Sequence, residues 1–244
     1  MKVLRLSTQI HKWVGLVVGV QVLFWVGGGL VMTAIPIETV RSEHHVQALT
    51  PTPLALKAAL PVTEAARIAG VAPVRAELRA TQRGAAWVLT PPEGEAVTVS
   101  AGTGRPFAAM TEAEASALAA RAYKGEAAPE RTVLLDQAPR ETGRTGPIWK
   151  VDFNDAERTT FYLSPQTGEV LTRRSAVWRF YDFFWRLHIL DFKNGENFNH
   201  PLLVGLTLLT LSIVVTGFIL LWIRLARDLK TARAVRAAQR RSAI

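Results

Sequence analysis

The chain has no cysteine among its 244 residues. That excludes disulfides, thiolate metal sites and cysteine nucleophiles together, so any part that folds outside the cytoplasm is held by packing alone. Hydrolytic and nucleotide-binding signatures are also missing. There is no Gly-x-Ser-x-Gly, no P-loop, no dinucleotide-binding glycine fingerprint and no His-Glu-x-x-His. Catalysis by side chains alone is therefore not expected, and the sequence leaves open whether the chain is an enzyme at all.

Charge is missing from the middle of the chain. The net charge is +9, and the excess sits entirely at the two ends. Lys2, Arg5 and Lys12 make residues 1–12 basic, and Arg224, Arg227, Lys230, Arg233, Arg236, Arg240 and Arg241 outweigh Asp228 in residues 224–244. The 211 residues between hold 19 basic and 19 acidic side chains, so no basic folded surface is needed to explain the total and nucleic acid is not an expected partner. At 49% hydrophobic and 20% charged, the composition also excludes a disordered chain.

Two long apolar runs are present. Between Lys12 and Glu38 there is no charge, and Trp13 to Ile35 is apolar apart from Gln21 and Thr33. Leu202 to Ile223 is also uncharged and is followed by Arg224. About 20 such residues cross a bilayer core, so both runs are expected to be transmembrane helices and the lipid bilayer is a partner. The first run is far longer than the roughly 7–15 residues of a signal-peptide core, and Met32 is too large for a small-x-small site before Ala34, so it reads as an uncleaved anchor. The positive-inside bias then places both termini in the cytoplasm, with residues of about 37–200 outside and Trp13 and Trp222 at the cytoplasmic borders.

The outer segment says one thing twice. A strand Ala86-Trp87-Val88-Leu89 is followed by a strand Val97-Thr98-Val99-Ser100 and Gly102-Thr103-Gly104. Later, Ile148-Trp149-Lys150-Val151 is followed by Thr160-Phe161-Tyr162-Leu163-Ser164 and Gln166-Thr167-Gly168-Glu169. A short Ala-rich helix precedes each pair, Thr63 to about Gly70 and Thr111 to about Tyr123, the second opened by a Thr111/Glu114 capping box. Each unit is expected to be a helix on an antiparallel sheet, giving an α+β periplasmic domain between two transmembrane helices. The organisation is 1–12 cytoplasmic, 13–35 first span, 36–60 connection, 61–108 first repeat, 109–174 second repeat, 175–199 interfacial aromatic helix and loop, 200–223 second span and 224–244 basic tail.

Tyr162-Leu163-Ser164-Pro165-Gln166-Thr167-Gly168-Glu169-Val170 resembles the turn that closes a PepSY domain. Arg5 to Leu16, with His11-Lys12-Trp13-Val14-Gly15-Leu16, and Val215-Thr216-Gly217 resemble segments of PepSY-associated transmembrane proteins. The resemblance implies a bacterial inner-membrane protein with a periplasmic PepSY pair. Its larger members, with four or more spans, are linked to siderophore and iron uptake, and some look like haem-b reductases.

All five histidines, His11, His44, His45, His188 and His200, lie near an expected membrane border and outside the repeats. A membrane haem b takes two imidazoles at one depth on different helices or subunits, so these five are the candidate cofactor ligands. His11 and His200 stand at opposite faces of the bilayer, so His11 needs a partner from a second subunit, as in a homodimer; His44, His45, His188 and His200 share the outer edge. Gly15, Gly19 and Gly27 line one face above His11, suited either to a cofactor or to close helix packing. Val177 to His188 reads as an interfacial helix, with Trp178 and an aromatic stripe of Tyr181, Phe184, Trp185 and His188 that either anchors at the interface or flanks a porphyrin. His200 precedes Pro201 at the mouth of the second span, where it is either a capping residue or a ligand. This set of histidines could also hold zinc, but no His-x-x-x-His or Glu-x-x-His spacing supports it, so no metal ligand is assigned from the sequence.

Three functions fit. The first is a membrane module that presents the repeat pair to a periplasmic or membrane protein partner. The second is a haem-b electron-transfer component assisting ferric-chelate reduction, and the third an accessory subunit docking through Gly15 and Gly19.

Overall fold

The structure is a computed structural model describing residues 2–50, 54, 56–193, 197 and 199–242. The contact pattern divides the chain into two units, one of Met1–Ala34 with Asp182–Ile244 and one of Ile35–Tyr181.

The first unit is helical. α1 runs over Lys2–Ala34 and α6 over Pro201–Ser242, and the two touch. The same unit takes in the latter part, from Asp182, of an amphipathic helix, α5 in chain order, Ala176–Ile189. Residues Lys12–Ala34 and Pro201–Ala234 are long and apolar enough to cross a membrane. At 1.5 Å per residue the first covers about 35 Å, more than a hydrocarbon core of about 30 Å. Leu23, Val26, Leu30, Leu208 and Phe218 are all more than 60% exposed, an apolar belt suited to lipid rather than water. α6 continues without a break through the basic tail to Ser242, because Ala, Arg, Lys and Gln are strong helix formers and nothing from Arg224 onward interrupts them.

α1 and α5 make close contact. The Trp25 indole N–H donates to the His188 carbonyl at 2.7 Å, and a Cβ added at Gly28 would lie 3.4 Å from the Phe184 carbonyl oxygen. The glycine that packs within the chain is therefore Gly28. Gly15, Gly19 and Gly27 meet nothing within 4 Å and leave their side of α1 open.

The second unit holds two antiparallel sheets. Helix α2 (Ile37–Val40) is followed by α3 (Val62–Ala69) and a three-stranded sheet ordered β1 (Arg75–Thr81), β2 (Gly84–Thr90), β3 (Val97–Ser100). Then come α4 (Glu112–Ala122) and a four-stranded meander of β4 (Pro129–Leu135), β5 (Ile148–Phe153), β6 (Thr160–Leu163) and β7 (Val170–Arg174). The strands expected from the sequence correspond to β2, β3, β5 and β6. The structure adds β1, β4 and β7, each at a sheet edge. β1 reads Arg-Ala-Glu-Leu-Arg-Ala-Thr, an exposed charged strand without the β-branched run that marks an interior one.

α4 lies on β4, β5 and β6. Its buried face is Ala115, Leu118, Ala119 and Ala122, small residues at helical spacing that let the backbone approach the sheet. Opposite stand Trp149, Val151 and Phe153 of β5 with Phe161 and Leu163 of β6, while Lys150 and Asp152 alternate to the other face. Thr111 caps α4 in the expected box, its hydroxyl accepting from the Glu114 amide while its own amide donates to the Glu114 carboxylate. Helix α3 ends on Gly70 in the left-handed conformation and packs on β2.

Each sheet is closed by a Thr-Gly turn tucked under a helix. Gly104 has φ +68, and a Cβ there would lie 3.0 Å from the Ile68 Cβ and 3.3 Å from the Ala65 Cα on α3. Gly168 has φ +71, and its Cβ would lie 2.7 Å from Leu118 on α4. The two halves are tied by the Arg83 guanidinium, which donates to the carbonyls of Ala108 and Pro165.

The segment after α2 is more than a connection. Val46 forms an antiparallel bridge with Tyr123, the Gln47 amide donates to the Ala122 carbonyl at 2.9 Å, and the Lys124 amide donates to the His45 carbonyl at 2.9 Å. Residues 45–47 are thereby fixed beside the end of α4. Pro51 and Pro53 lie outside the described residues.

Candidate functional site

The five histidines fall in different settings. His11 is on α1, and its side chain lies outside those described. His200 is used by the backbone: its Nε2 is 3.0 Å from the Ile189 carbonyl, and its Nδ1 accepts from the Leu203 amide at 3.4 Å in the first turn of α6. His188, in the same unit, has a buried Nδ1 with no hydrogen-bond partner among the described residues, and it stands beside Gly28 with its ring 6.4 Å from that of Trp25. A bis-imidazole haem takes two free rings. Among the described side chains of this unit, His188 is the histidine whose ring is not engaged by the backbone.

His44 and His45 belong to the other unit, on a 3₁₀ turn Glu43–His45. Both reach Glu157 in the β5–β6 turn. His44 Nε2 is 3.3 Å from one carboxylate oxygen and His45 Nε2 is 3.1 Å from the other. The two imidazoles lie against each other with centroids 4.0 Å apart and their planes tilted by 42°. Nothing in the sequence marks Glu157 as a partner, because it lies 113 positions from His44 and no spacing rule spans that distance.

The aromatic candidates divide as well. Trp178 receives the Arg174 guanidinium over its ring at 4.1 Å, a cation–π contact within the second unit. Tyr181 and Trp185 are half-buried along α5, and Trp13 and Trp222 are exposed on α1 and α6. Asp182 and Arg186 pair one turn apart on α5 at 2.5 Å.

A polar cleft of about 720 Å³ opens on the face of the second sheet away from α4. Its wall is a chain of satisfied polar groups. Lys150 pairs with Asp152 at 2.8 Å, Asp152 accepts from the Thr160 hydroxyl at 2.8 Å, and Arg179 donates to Thr160 and to Glu141. Glu141 also accepts from the Tyr162 hydroxyl at 2.6 Å, and burial first, then that bond, pushes Tyr162 far above the usual phenol range. Arg131 and Arg158 line the cleft with no ion-pair partner among the described residues. No side chain in it is set up as a nucleophile with an adjacent base.

The β5–β6 turn joins this cleft to the histidine pair. Asp155 lines the cleft and accepts from the Thr159 amide at 2.7 Å and from the Tyr123 hydroxyl at 2.8 Å. Burial works to raise the Asp155 carboxyl, but the bonds from Thr159 and Tyr123 outweigh it and hold the group below the usual carboxylate range. Burial, then the bond to Asp155, pushes Tyr123 up to about 12. The Tyr123 ring lies between His45, stacked at 5.7 Å, and Phe153, stacked at 4.2 Å.

Two apolar helices long enough to span a bilayer, one before and one after an α+β body in chain order, define a membrane protein that carries a folded domain. The chain belongs to the PepSY-associated transmembrane family: the family description "PepSY-associated TM region" matches residues 8–243, nearly its whole length. No curated protein and no solved structure matches it.

Proposed function

We propose that this protein is a two-span inner-membrane module that presents a tandem PepSY domain on the periplasmic side and binds a polypeptide partner there, as an accessory subunit in iron or siderophore uptake. The cleft on the second sheet carries this reading. It is large enough for a peptide segment, and its wall of Lys150, Asp152, Thr160 and Arg179 is already hydrogen-bonded and so preorganised. Arg131 and Arg158 remain without ion pairs among the described residues, to meet an acidic or carbonyl-rich segment. The orientation is supported by the basic residues confined to both ends, each next to a span. The link to iron uptake comes from the family resemblance.

The test places a photo-crosslinking residue at Arg131 in the cleft and, as a control, at Glu112 on the exposed start of α4. A discrete adduct from Arg131 alone, lost on adding Arg158→Glu, supports the reading. Equal labelling from both positions overturns it. Alkaline phosphatase fusions are expected to be active after residue 100 and inactive after residue 235; the reverse pattern overturns the orientation.

A second reading, haem b held by His188, is favoured by that residue's Nδ1 beside Gly28, which has no hydrogen-bond partner among the described residues. It takes its second axial imidazole from the His188 of another copy of the chain, as in a homodimer. When bound, the haem would supply one-electron chemistry. A Soret band with α and β bands on reduction, lost in His188→Ala, supports it; a spectrum without them sinks it.

A further inference from the structure

We propose that His44, His45 and Glu157 form a binding site for a divalent transition cation of the zinc type. Two imidazole nitrogens and a carboxylate converge there, with their ligand atoms all within 4.8 Å of one another. Metal–nitrogen and metal–oxygen bonds of about 2.0–2.2 Å place neighbouring ligand atoms roughly 3–3.5 Å apart. The two nitrogen–oxygen separations, 3.3 and 3.1 Å, fall in that range.

Hydrogen bonding leaves this arrangement incomplete. His45 Nε2 and Glu157 Oε2 are both buried, and neither has a hydrogen-bond partner among the described residues although they lie 3.1 Å apart. A buried donor or acceptor without a partner is costly, and natural proteins leave few of them. A cation bound between the two atoms satisfies both at once. His44 already bonds the other carboxylate oxygen at 3.3 Å, whereas a plain His45–carboxylate hydrogen bond would need the His45 ring to turn toward Oε2.

The ligands are also held in place before any ion arrives. The turn bearing His44 and His45 is fixed by the Lys124-to-His45 and Gln47-to-Ala122 backbone bonds, and the Tyr123 ring stacks on His45. Glu157 is held by the Ala176 amide, which donates to its carbonyl at 2.7 Å. Both turns carry a non-glycine residue in the left-handed region, Ser42 at φ 54 and Arg158 at φ 50, a strain that the surrounding structure sustains.

The donor set decides the class of ion. Two nitrogens and one carboxylate suit zinc and its neighbours, whereas magnesium and calcium take oxygen ligands. Three protein ligands leave a fourth position, and His44 is exposed, so that position faces water. An ion held this way remains open to exchange or to a further ligand, unlike one in a closed four-ligand structural site.

The test is calorimetric titration of the full chain in detergent, free of any affinity tag, with zinc chloride. One equivalent is expected to bind, with magnesium giving no heat. His44→Ala, at an exposed position that leaves the core intact, and Glu157→Gln are each expected to weaken binding by at least about tenfold, with circular dichroism and melting confirming that both remain folded. His188→Ala is expected to bind zinc like the unaltered chain. Absence of binding, or undiminished affinity in both His44→Ala and Glu157→Gln, overturns the proposal. So does a loss that appears in His188→Ala instead.

Discussion

Tyr123 donates its phenolic hydrogen to Asp155 at 2.8 Å, joining the end of α4 to the β5–β6 turn. This bond ties the end of the helix that covers the second sheet to the turn that carries Glu157. The Tyr123 ring adds to the joint by stacking between His45 and Phe153.

Tyr123→Phe is expected to destabilise the second unit by about 1 kcal/mol, since Asp155 keeps its two bonds from Thr159 and loses one donor. For a unit of this size that lowers Tm by roughly 2–4 °C, measurable by near-ultraviolet circular dichroism. An unchanged Tm would show that the bond contributes nothing.

The same pair contributes to the pH dependence at both extremes. Tyr123 is raised to about 12, so the stability it contributes is fully present below the unfolded phenol value of about 10 and is lost as pH climbs to about 12. Asp155 is lowered, so its contribution is present above the unfolded carboxylate value of about 4 and is lost as pH falls through its folded value. Denaturation midpoints should therefore decline between pH 10 and 12, and the decline should shrink in Tyr123→Phe.

Substituting the turn glycines separates two costs. Gly146→Ala has φ +76 and open space around it, so it is expected to pay only for conformation, about 1 kcal/mol. Gly104→Ala and Gly168→Ala carry the same strain and add a clash with α3 or α4, so each should destabilise more than Gly146→Ala. Urea midpoints of the three variants test the order. Equal values would mean that the helices yield at no cost.

On α1, Gly28→Leu is expected to push that helix off α5 and lower thermal stability in detergent, because Phe184 already lies at contact distance. Gly19→Leu faces open space within the chain and should leave the melting temperature unchanged. If Gly19→Leu nevertheless reduces the assembly size on a native gel, that face of α1 is where another subunit docks.

Much of this was legible in order along the chain. Both spans follow from apolar length, the α4 start from Thr111 and Glu114, and the interior strands from alternating apolar residues such as Trp149, Val151 and Phe153. The edge strands were not legible. β1 has the charged, weakly patterned sequence of a strand that meets water on its open side, and only pairing with β2 makes it a strand.

Sequence alone thus determined what depends on neighbours within a turn or two: membrane-length apolar helices, charge confined to the ends, caps, and glycines where the chain turns sharply. The tertiary structure decided what depends on residues far apart. It selected Gly28 rather than Gly15, Gly19 or Gly27 for packing inside the chain, and it turned His200 to the backbone while leaving the His188 Nδ1 without a hydrogen-bond partner among the described residues. It also brought Glu157 to His44 and His45 across 113 positions. Such pairings are set by how helices and sheets stack, and stacking follows from the shape of whole surfaces, which no local spacing records.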